Sequence, residues 1–409
     1  MGLQGKNIII GVTGGIAAYK ALELTRLLRK AGAEVWPVMT KAAAEFVTPL
    51  SFSTLAGSPV SVDTFDRTHN RGVNHINIAD NADLLVVVPA TANIIGKIAG
   101  GIADDLLSTV IMATDAPNRL GRGRALIAPA MNHRMYRNPI VQANIDKLTT
   151  LGYEFIGPER GELACGWEGD GRLAPVGEIF NAIEGALSAK DMEGERVLIS
   201  AGATRTAIDP VRFISNASTG RMGVALAAAA HRRGAEVTLV VGDIKVAPPS
   251  GVELVRAESS SAMQGELKRR FENSTTLIMA AAVADFQVAE ERTEKIKKGS
   301  DGITLNLVKT SDILAGLAQK KNDRIVVGFA LESEDLEHNA TSKLKAKGLD
   351  LIVANTPDAI GSEMNKAVLI GKGGCVEALP PMTKAELADI ILDKVVSIKK
   401  GQAETVTNG

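Results

Sequence analysis

Apolar residues come in short, nearly unbroken runs rather than in strict alternation. They lie at 6–12, 35–39, 84–88, 126–128, 239–241, 277–281, 325–329 and 349–354. Such runs, bounded by turn residues, predict strands buried on both faces, as in a parallel sheet covered by helices. Two stretches share one layout. In the first, the strand at 6–12 leads into Thr13-Gly14-Gly15. A helix then closes at Arg29-Lys30-Ala31-Gly32, and Ala33-Glu34-Val35 opens the next strand. In the second, 196–200 leads into Ala201-Gly202-Ala203-Thr204. A longer loop follows, then a helix from about Gly220 to Arg232-Arg233-Gly234, and Ala235-Glu236-Val237 resumes the strand pattern. In both, glycine stops the helix and a β-branched run starts the strand. Each is a βαβ unit opening its own parallel sheet.

The predicted fold class is therefore α/β: two doubly wound Rossmann-like domains with mainly parallel sheets, at 1–190 and 191–409. The boundary falls in the polar stretch 188–195. One segment breaks the pattern. Residues 290–309 are charged, hold the turn Gly299-Ser300-Asp301-Gly302, and then alternate in Ile303-Thr304-Leu305-Asn306-Leu307. They predict an antiparallel flap carried by the second domain. The polar tail 401–409 is expected to be unstructured.

Composition narrows the function. The chain has 409 residues, with 46 Lys+Arg against 47 Asp+Glu. That balance lacks the basic excess of a nucleic-acid or membrane-surface protein, so small-molecule partners are expected. Aromatic residues make up only 3%, which leaves the core to Ala, Val, Ile and Leu and suits base-stacking nucleic-acid readers poorly. The two cysteines, Cys165 and Cys375, are too few for a disulfide framework or a Cys-rich zinc site. Met1 to Lys6 lead straight into the first strand without the features of a signal peptide. The longest apolar stretch, 84–92, contains Pro89 and is too short to span a bilayer. A reducing cytoplasm is the expected location.

The first glycine turn offers free backbone N–H groups at a helix start, an arrangement that attracts anions. The strand at 35–39 ends in Thr40 rather than in the acid that would hold a dinucleotide ribose. That favours a mononucleotide, FMN, although a tight turn without any ligand fits the loop equally well. His75, by itself, reads as an exposed loop histidine. Asn132 follows a strand and Pro129, where it would cap a turn or helix. Cys165 lies among Gly166, Gly169 and Gly171, which suggests a flexible flap and a thiol able to act as an acid.

The surrounding residues carry a resemblance. The segments 11–20 and 101–109, Asn74-His75-Ile76, Pro89-Ala90-Thr91-Ala92-Asn93, Pro129-Ala130-Met131-Asn132 and Leu163-Ala164-Cys165-Gly166 stand in the order seen in the flavin-containing cysteine decarboxylases. The first half resembles that family over nearly its whole length. The resemblance implies FMN held by Gly14, Gly15, Ile16, Thr40, Thr91, Ala92 and Asn93, in a trimer with the flavin near a subunit interface. It makes His75 a base or substrate orienter, Asn132 the group that binds the departing carboxylate, and Cys165 the proton donor. The chemistry follows electron demand: oxidising the thiol to a thioaldehyde creates the sink that CO2 loss requires. The enethiolate left behind must then be protonated and reduced.

In the second half, Asp209-Pro210-Val211-Arg212-Phe213-Ile214-Ser215-Asn216 and Ser218-Thr219-Gly220-Arg221-Met222-Gly223 form another phosphate-type loop before a helix, though these residue types also serve as plain caps. Asp285 stands just past a buried strand, where a metal or ribose contact would fall. Lys295-Ile296-Lys297-Lys298 lies on the expected flap and, taken alone, reads as a solvated charge run. Lys343 and Lys347 share one helix face. With Ser311-Asp312-Ile313-Leu314 and Gly328-Phe329-Ala330, this half resembles the bacterial, CTP-using phosphopantothenate–cysteine ligases over roughly 194–395. The order of the halves is that of the fused bifunctional family of coenzyme A biosynthesis. One departure is Ser218-Thr219-Gly220-Arg221, where Ser-Ser-Gly-Lys is expected; a hydroxyl and a cation are kept.

The resemblance implies that CTP and Mg2+ convert the 4'-phosphopantothenate carboxylate to an acyl cytidylate, from which the amine of cysteine displaces CMP. Met279, Ala280, Ala281, Asp285, Ser311, Asp312, Ile313, Leu314, Phe329, Lys343 and Lys347 would form the CTP pocket, with Asp285 near the Mg2+. Lys295 would neutralise phosphate charge, and Asn216 would place the acyl intermediate for amine attack. Trimeric decarboxylase and dimeric ligase halves would combine by symmetry into a dodecamer. Two rival readings remain at this level: a nicotinamide oxidoreductase with two Rossmann domains, and a flavoprotein that regulates a partner without catalysis.

Overall fold

Residues 8–12 have no polar side to give to water, and Asn7–Val12 forms an interior strand of the first sheet, β1, flanked on both sides. Ile8, Ile10 and Val12 point to one face and Ile9 to the other, and all four are buried. The computed structural model describes residues 3–63, 74–114, 124–162, 166–297, 303–332, 334–362 and 364–407. It divides into two compact units, Met1–Ser188 and Ala189–Gly409.

In the first unit β1 is followed by α1 (Ala18–Lys30), β2 (Glu34–Met39), α2 (Lys41–Ala44), α3 (Pro49–Ala56) and α4 (Asn74–Asp80). Next come β3 (Leu84–Ala90), α5 (Ala92–Gly100), α6 (Leu106–Ala113), β4 (Arg124–Pro129), α7 (His133–Tyr136), α8 (Pro139–Thr150) and β5 (Glu154–Phe155). An antiparallel pair, β6 (Glu159–Glu162) and β7 (Glu168–Arg172), precedes α9 (Val176–Leu187). The sheet is wholly parallel, in the order β2-β1-β3-β4-β5. Helices α1 and α9 cover one face through Leu24, Leu28, Ile179 and Ile183. Helices α5 and α6 cover the other through Ile94, Ile95, Ile98 and Leu107. In this winding the chain reverses direction between β1 and β3, so their carboxyl ends splay apart into a crevice.

The second unit runs β8 (Arg196–Ala201), β9 (Arg205–Ala207), β10 (Phe213–Ser215), α10 (Arg221–Arg232), β11 (Glu236–Val241), β12 (Glu253–Arg256), α11 (Ser260–Phe271) and β13 (Thr276–Met279). It continues with β14 (Phe286–Val288), β15 (Leu307–Lys309), α12 (Ile313–Ala318), β16 (Ile325–Leu331), α13 (Leu336–Lys347) and β17 (Leu351–Asn355). It closes with β18 (Met364–Asn365), β19 (Ala367–Gly371), β20 (Val376–Ala378), β21 (Met382–Thr383) and α14 (Lys384–Thr407). Its main sheet has the order β12-β11-β8-β13-β16-β17-β19-β20. The first six strands are parallel, and β19 and β20 add antiparallel at one edge. Here the winding reverses between β8 and β13. Among the described residues no helix is long and apolar enough to cross a membrane.

Three expectations need adjusting. The antiparallel flap is present, but its ladder is only Phe286–Val288 against Leu307–Lys309, closed by Ala289 N–H donating to Asn306 O. Ile303 to Leu305 find no strand partner because the opposite arm turns away and Arg292 N–H bonds Ile208 O instead. The turn at 299–302 lies outside the described residues. The tail is helical to Thr407 as a continuation of α14, in which the single Gly401 costs only about 1 kcal/mol. Finally, the antiparallel edge formed by β19 and β20 was not anticipated.

Arg233, buried at the end of α10, ties the start of the second unit to its last helix. Its guanidinium donates to Asp191 at 2.8 and 2.6 Å and to Asp389 O at 3.2 Å, and it lies 2.8 Å from Asp393. The Arg233 hydrogen bond holds the Asp191 carboxyl below its ordinary value of 3.8, against the upward push of burial. A lowered carboxylate contributes stability that is complete above the unfolded value and is lost as pH falls through the folded one. Asp191→Asn is therefore expected to cost the second unit about 1–3 kcal/mol near neutral pH. The gap between variant and parent should close below about pH 3.8. Urea unfolding at neutral and acid pH checks this, and an equal gap at both would contradict it.

Candidate active sites

The crevice between β1 and β3 holds a cavity of about 1260 Å3. Gly14, Gly15, Ile16, Thr40, Thr91, Ala92, Asn93 and Asn132 all line it. Thr13, buried directly after β1, joins its two edges: its Oγ1 donates to Pro89 O at 2.6 Å and accepts from Thr91 N at 3.2 Å. Gly14 is packed so closely that a Cβ there would lie 2.5 Å from Ala42 Cβ and 2.9 Å from Ala42 C. The backbone N–H groups of Gly14, Gly15 and Ile16 donate to nothing among the described residues. Helices α1 and α5 both begin at this cavity without a side-chain cap. Two uncapped helix starts facing one space make an anion receptor. Thr40 differs, because its Oγ1 caps α2 by accepting from Ala43 N at 3.2 Å; the hydroxyl proton stays available to a ligand.

Asn132 is a helix cap, as its residue type suggested, and it also lies at the cavity. Its Oδ1 accepts from Arg134 N at 2.9 Å, capping α7, while the residue forms part of the cavity wall. Cys165 lies outside the described residues, but Glu162 and Gly166, which flank its segment, both line the cavity. The strand after it is docked firmly. Met131 N–H donates to Gly171 O at 3.0 Å, and Arg137 reaches Asp170 at 2.7 Å. Gly171 has φ +135°, and a Cβ on it would fall 2.2 Å from Met131 O, so glycine is required there. His75 sits half-buried on α4, which packs on α6, and is not in the cavity wall. Within one chain it is not brought to Asn132.

Lys97 and Asp105 are among the cavity residues that sequence reasoning missed. Lys97 Nζ lies 2.6 Å from Asp104 and 2.7 Å from Asp105. Burial pushes the Lys97 ammonium down, but the two carboxylates outweigh it and hold it above its ordinary value. Burial likewise pushes Asp105 up, while Lys97 and the Ser108 N–H hold it below. Asp105 and Ser108 form a capping box at the start of α6, and Lys97 reaches it from α5.

In the second unit, the loops after β8 and β13 lie side by side. Ala282 N–H donates to Gly202 O at 2.8 Å, Thr204 N–H to Ala282 O at 3.2 Å, and Ala284 N–H to Thr204 Oγ1 at 2.9 Å. Asn216 joins them, its Nδ2 donating to Ala282 O at 3.2 Å. Asn216 thus lies against the segment that carries Ala280, Ala281 and Asp285, and Asp285 is exposed. Lys295 stands on the flap, exposed and without an ion pair among the described residues.

The rest of the expected CTP set is less uniform. The side chains of Ile313 and Leu314 are buried in the core, so only their backbone is available to a ligand. Met279 packs in that same layer, whereas Phe329 packs against the layer on the opposite face of the sheet. Ser311 is exposed, and Asp312 caps α12 through Ala315 N at 2.9 Å. Lys343 lies 2.6 Å from Glu332 and Lys347 2.8 Å from Asp312, so both cations already have carboxylate partners. Among the described residues no group of three or more His, Cys, Asp or Glu side chains could hold a metal.

Two doubly wound sheets, the first with a cavity at its winding reversal, define a two-domain α/β protein of the class that binds phosphorylated or nucleotide compounds at that point. Residues 2–188 match the Flavoprotein family, and residues 192–398 match the DNA/pantothenate metabolism flavoprotein C-terminal domain. The chain belongs to the family of coenzyme A biosynthesis bifunctional proteins CoaBC. It is 43% identical over 410 residues to the Bacillus subtilis protein, covering 98% of this chain and 99% of that one. It is 43% identical over 404 residues to that of Haemophilus influenzae (97% and 98%) and 41% identical over 406 to that of Escherichia coli (97% and 98%). Similar solved structures include the C-terminal domain of a CoaBC protein, at 35% identity, 52% of this chain, 100% of that chain and TM-score 0.46. Another is a PPC decarboxylase mutant complexed with pantothenoylaminoethenethiol, at 30%, 44%, 97% and 0.39. The chain is thus a bifunctional enzyme of coenzyme A biosynthesis, a flavoprotein decarboxylase joined to a phosphopantothenate–cysteine ligase.

Proposed function

We propose that the flavin of the decarboxylase domain, 1–190, is FMN, and that the ligase domain, 191–409, uses CTP with Mg2+. Cysteine is joined to 4'-phosphopantothenate through an acyl cytidylate, and the product is decarboxylated to 4'-phosphopantetheine in the cytoplasm. The observation that carries the first part is the cavity framed by the uncapped starts of α1 and α5. Its free N–H groups suit a single phosphate, and no acid stands at Thr40 to hold a second ribose. When bound, FMN supplies hydride acceptance from the substrate and its return. Asn132 holds the substrate carboxylate, and Cys165, carried by the segment between Glu162 and Gly166, donates the proton. His75 lies away from its own chain's cavity, which fits a trimer in which a neighbouring copy supplies it; a dodecamer joins such trimers through ligase pairs.

In the ligase, Asn216 and the segment 280–285 frame the reacting carboxylate, and Lys295 faces the phosphates. Lys343 and Lys347 can turn from Glu332 and Asp312 to a triphosphate, because half-exposed ion pairs are worth at most about 1 kcal/mol. Asp285 alone does not make a metal site. A Mg2+ there would take its remaining ligands from triphosphate oxygens and water.

The test of the flavin site uses two glycines. Gly14→Ala forces Ala42 aside and is expected to cost about 1–3 kcal/mol and to yield protein without flavin absorbance. Gly177→Ala, on α9 with open space around it, should remain yellow. Full flavin retention in Gly14→Ala would contradict the placement.

A further inference from the structure

Lys295 makes no hydrogen bond or ion pair among the described residues, so its aim depends on whatever fixes the backbone beside it. That backbone is held by the turn between β9 and β10. Arg292 N–H donates to Ile208 O at 3.0 Å, Ile296 N–H donates to Asp209 Oδ2 at 3.2 Å, and Arg212 Nη1 donates to Ile296 O at 3.2 Å. Lys295 thus lies between two tethered positions. The Asp209 carboxylate is buried, and its other bonds come from Val211 N and Arg212 N, both 2.8 Å to Oδ1, and from Arg212 Nη1, 2.9 Å to Oδ2. One oxygen therefore builds the turn, while the other holds the flap and the arginine.

We propose that Asp209 is a positioning residue for the ligase reaction: with Arg212 it forms a latch that clamps the flap at Ile296 and so aims the Lys295 ammonium at the phosphates. The inference rests on the role given to Lys295. The division of labour between the two oxygens makes it testable. Asp209→Asn, with its amide nitrogen at the Oδ2 position, keeps the turn but gives Ile296 N–H no acceptor and leaves Arg212 Nη1 only Ile296 O.

The experiment uses the full chain and measures CTP-dependent ligation. Asp209→Asn should lower kcat about a hundredfold, the cost of a small misplacement, while leaving KM for CTP nearly unchanged. Ile296→Pro, which removes the donor from the exposed flap and leaves the buried carboxylate intact, should reproduce the loss and decides the matter if Asp209→Asn does not fold. Amide exchange at 292–297 should quicken in Asp209→Asn without quickening in the β8 and β13 core.

The decisive readout is the double variant. If Asp209 acts through Lys295, then Asp209→Asn in a Lys295→Gln background costs nothing further. Multiplying losses, or a normal rate in Ile296→Pro, would overturn the latch while leaving the role of Lys295 standing. A normal rate in Lys295→Gln alone would remove that role and the latch together.

Discussion

Cys165→Ser is expected to release CO2 and then stall, delivering an unsaturated enethiol in place of 4'-phosphopantetheine. The reasoning is one of proton supply. Loss of CO2 from an oxidised thioaldehyde leaves an enethiolate, which becomes the saturated thiol only when its carbon is protonated and hydride returns. A thiol, with an ordinary pKa near 8.5, can give that proton close to neutral pH, and a serine hydroxyl cannot. Serine nearly matches cysteine in size, so Glu162 and Gly166 should keep their places at the cavity. The yield of saturated product should fall about 10²–10⁴-fold, the usual worth of a placed general acid, while CO2 release continues. Product analysis by mass decides it, and normal conversion to the saturated product would refute the assignment.

Lys295→Gln should abolish the first half of the ligase reaction, whereas Asn216→Asp should abolish only the second. Charge builds on the phosphates as the acyl cytidylate forms, and removing a cation aimed there costs about 10²–10³-fold. Exchange of labelled pyrophosphate into CTP, in the presence of 4'-phosphopantothenate, reports that step without needing cysteine. It should collapse in Lys295→Gln. Asn216 Nδ2 donates to Ala282 O, and its proposed role is to place the acyl group for the incoming amine. Asn216→Asp puts a negative charge at that point, so exchange should persist while ligation to cysteine is lost. Unchanged exchange in Lys295→Gln would count against the assignment.

Most of the fold was legible because its strands are buried on both faces. Runs such as Ile8–Ile10 and 277–279 have no polar side, and the glycine turns after β1 and β8 mark where each winding begins. The antiparallel edge was not legible, since Ala367–Gly371 carries the same apolar run as a parallel strand and only its partner sets its direction. The residues expected to hold the flavin line one cavity because they lie in three short stretches, each soon after a strand. The CTP set was harder. Ile313 and Leu314 are core side chains, and sequence cannot tell a backbone contribution from packing. The spacing of Lys343 and Lys347 was visible, but their partners Glu332 and Asp312 come from other elements. For the same reason Lys97 with Asp105, and the latch at Asp209, emerged only once distant segments were brought together.

The most direct measurement supplies the purified full chain with 4'-phosphopantothenate, cysteine and CTP and follows three products together. One polypeptide carrying both sites should be yellow and should release pyrophosphate, CO2 and 4'-phosphopantetheine in equal amounts. Colourless protein, or pyrophosphate released without CO2 from flavin-replete protein, would contradict the account.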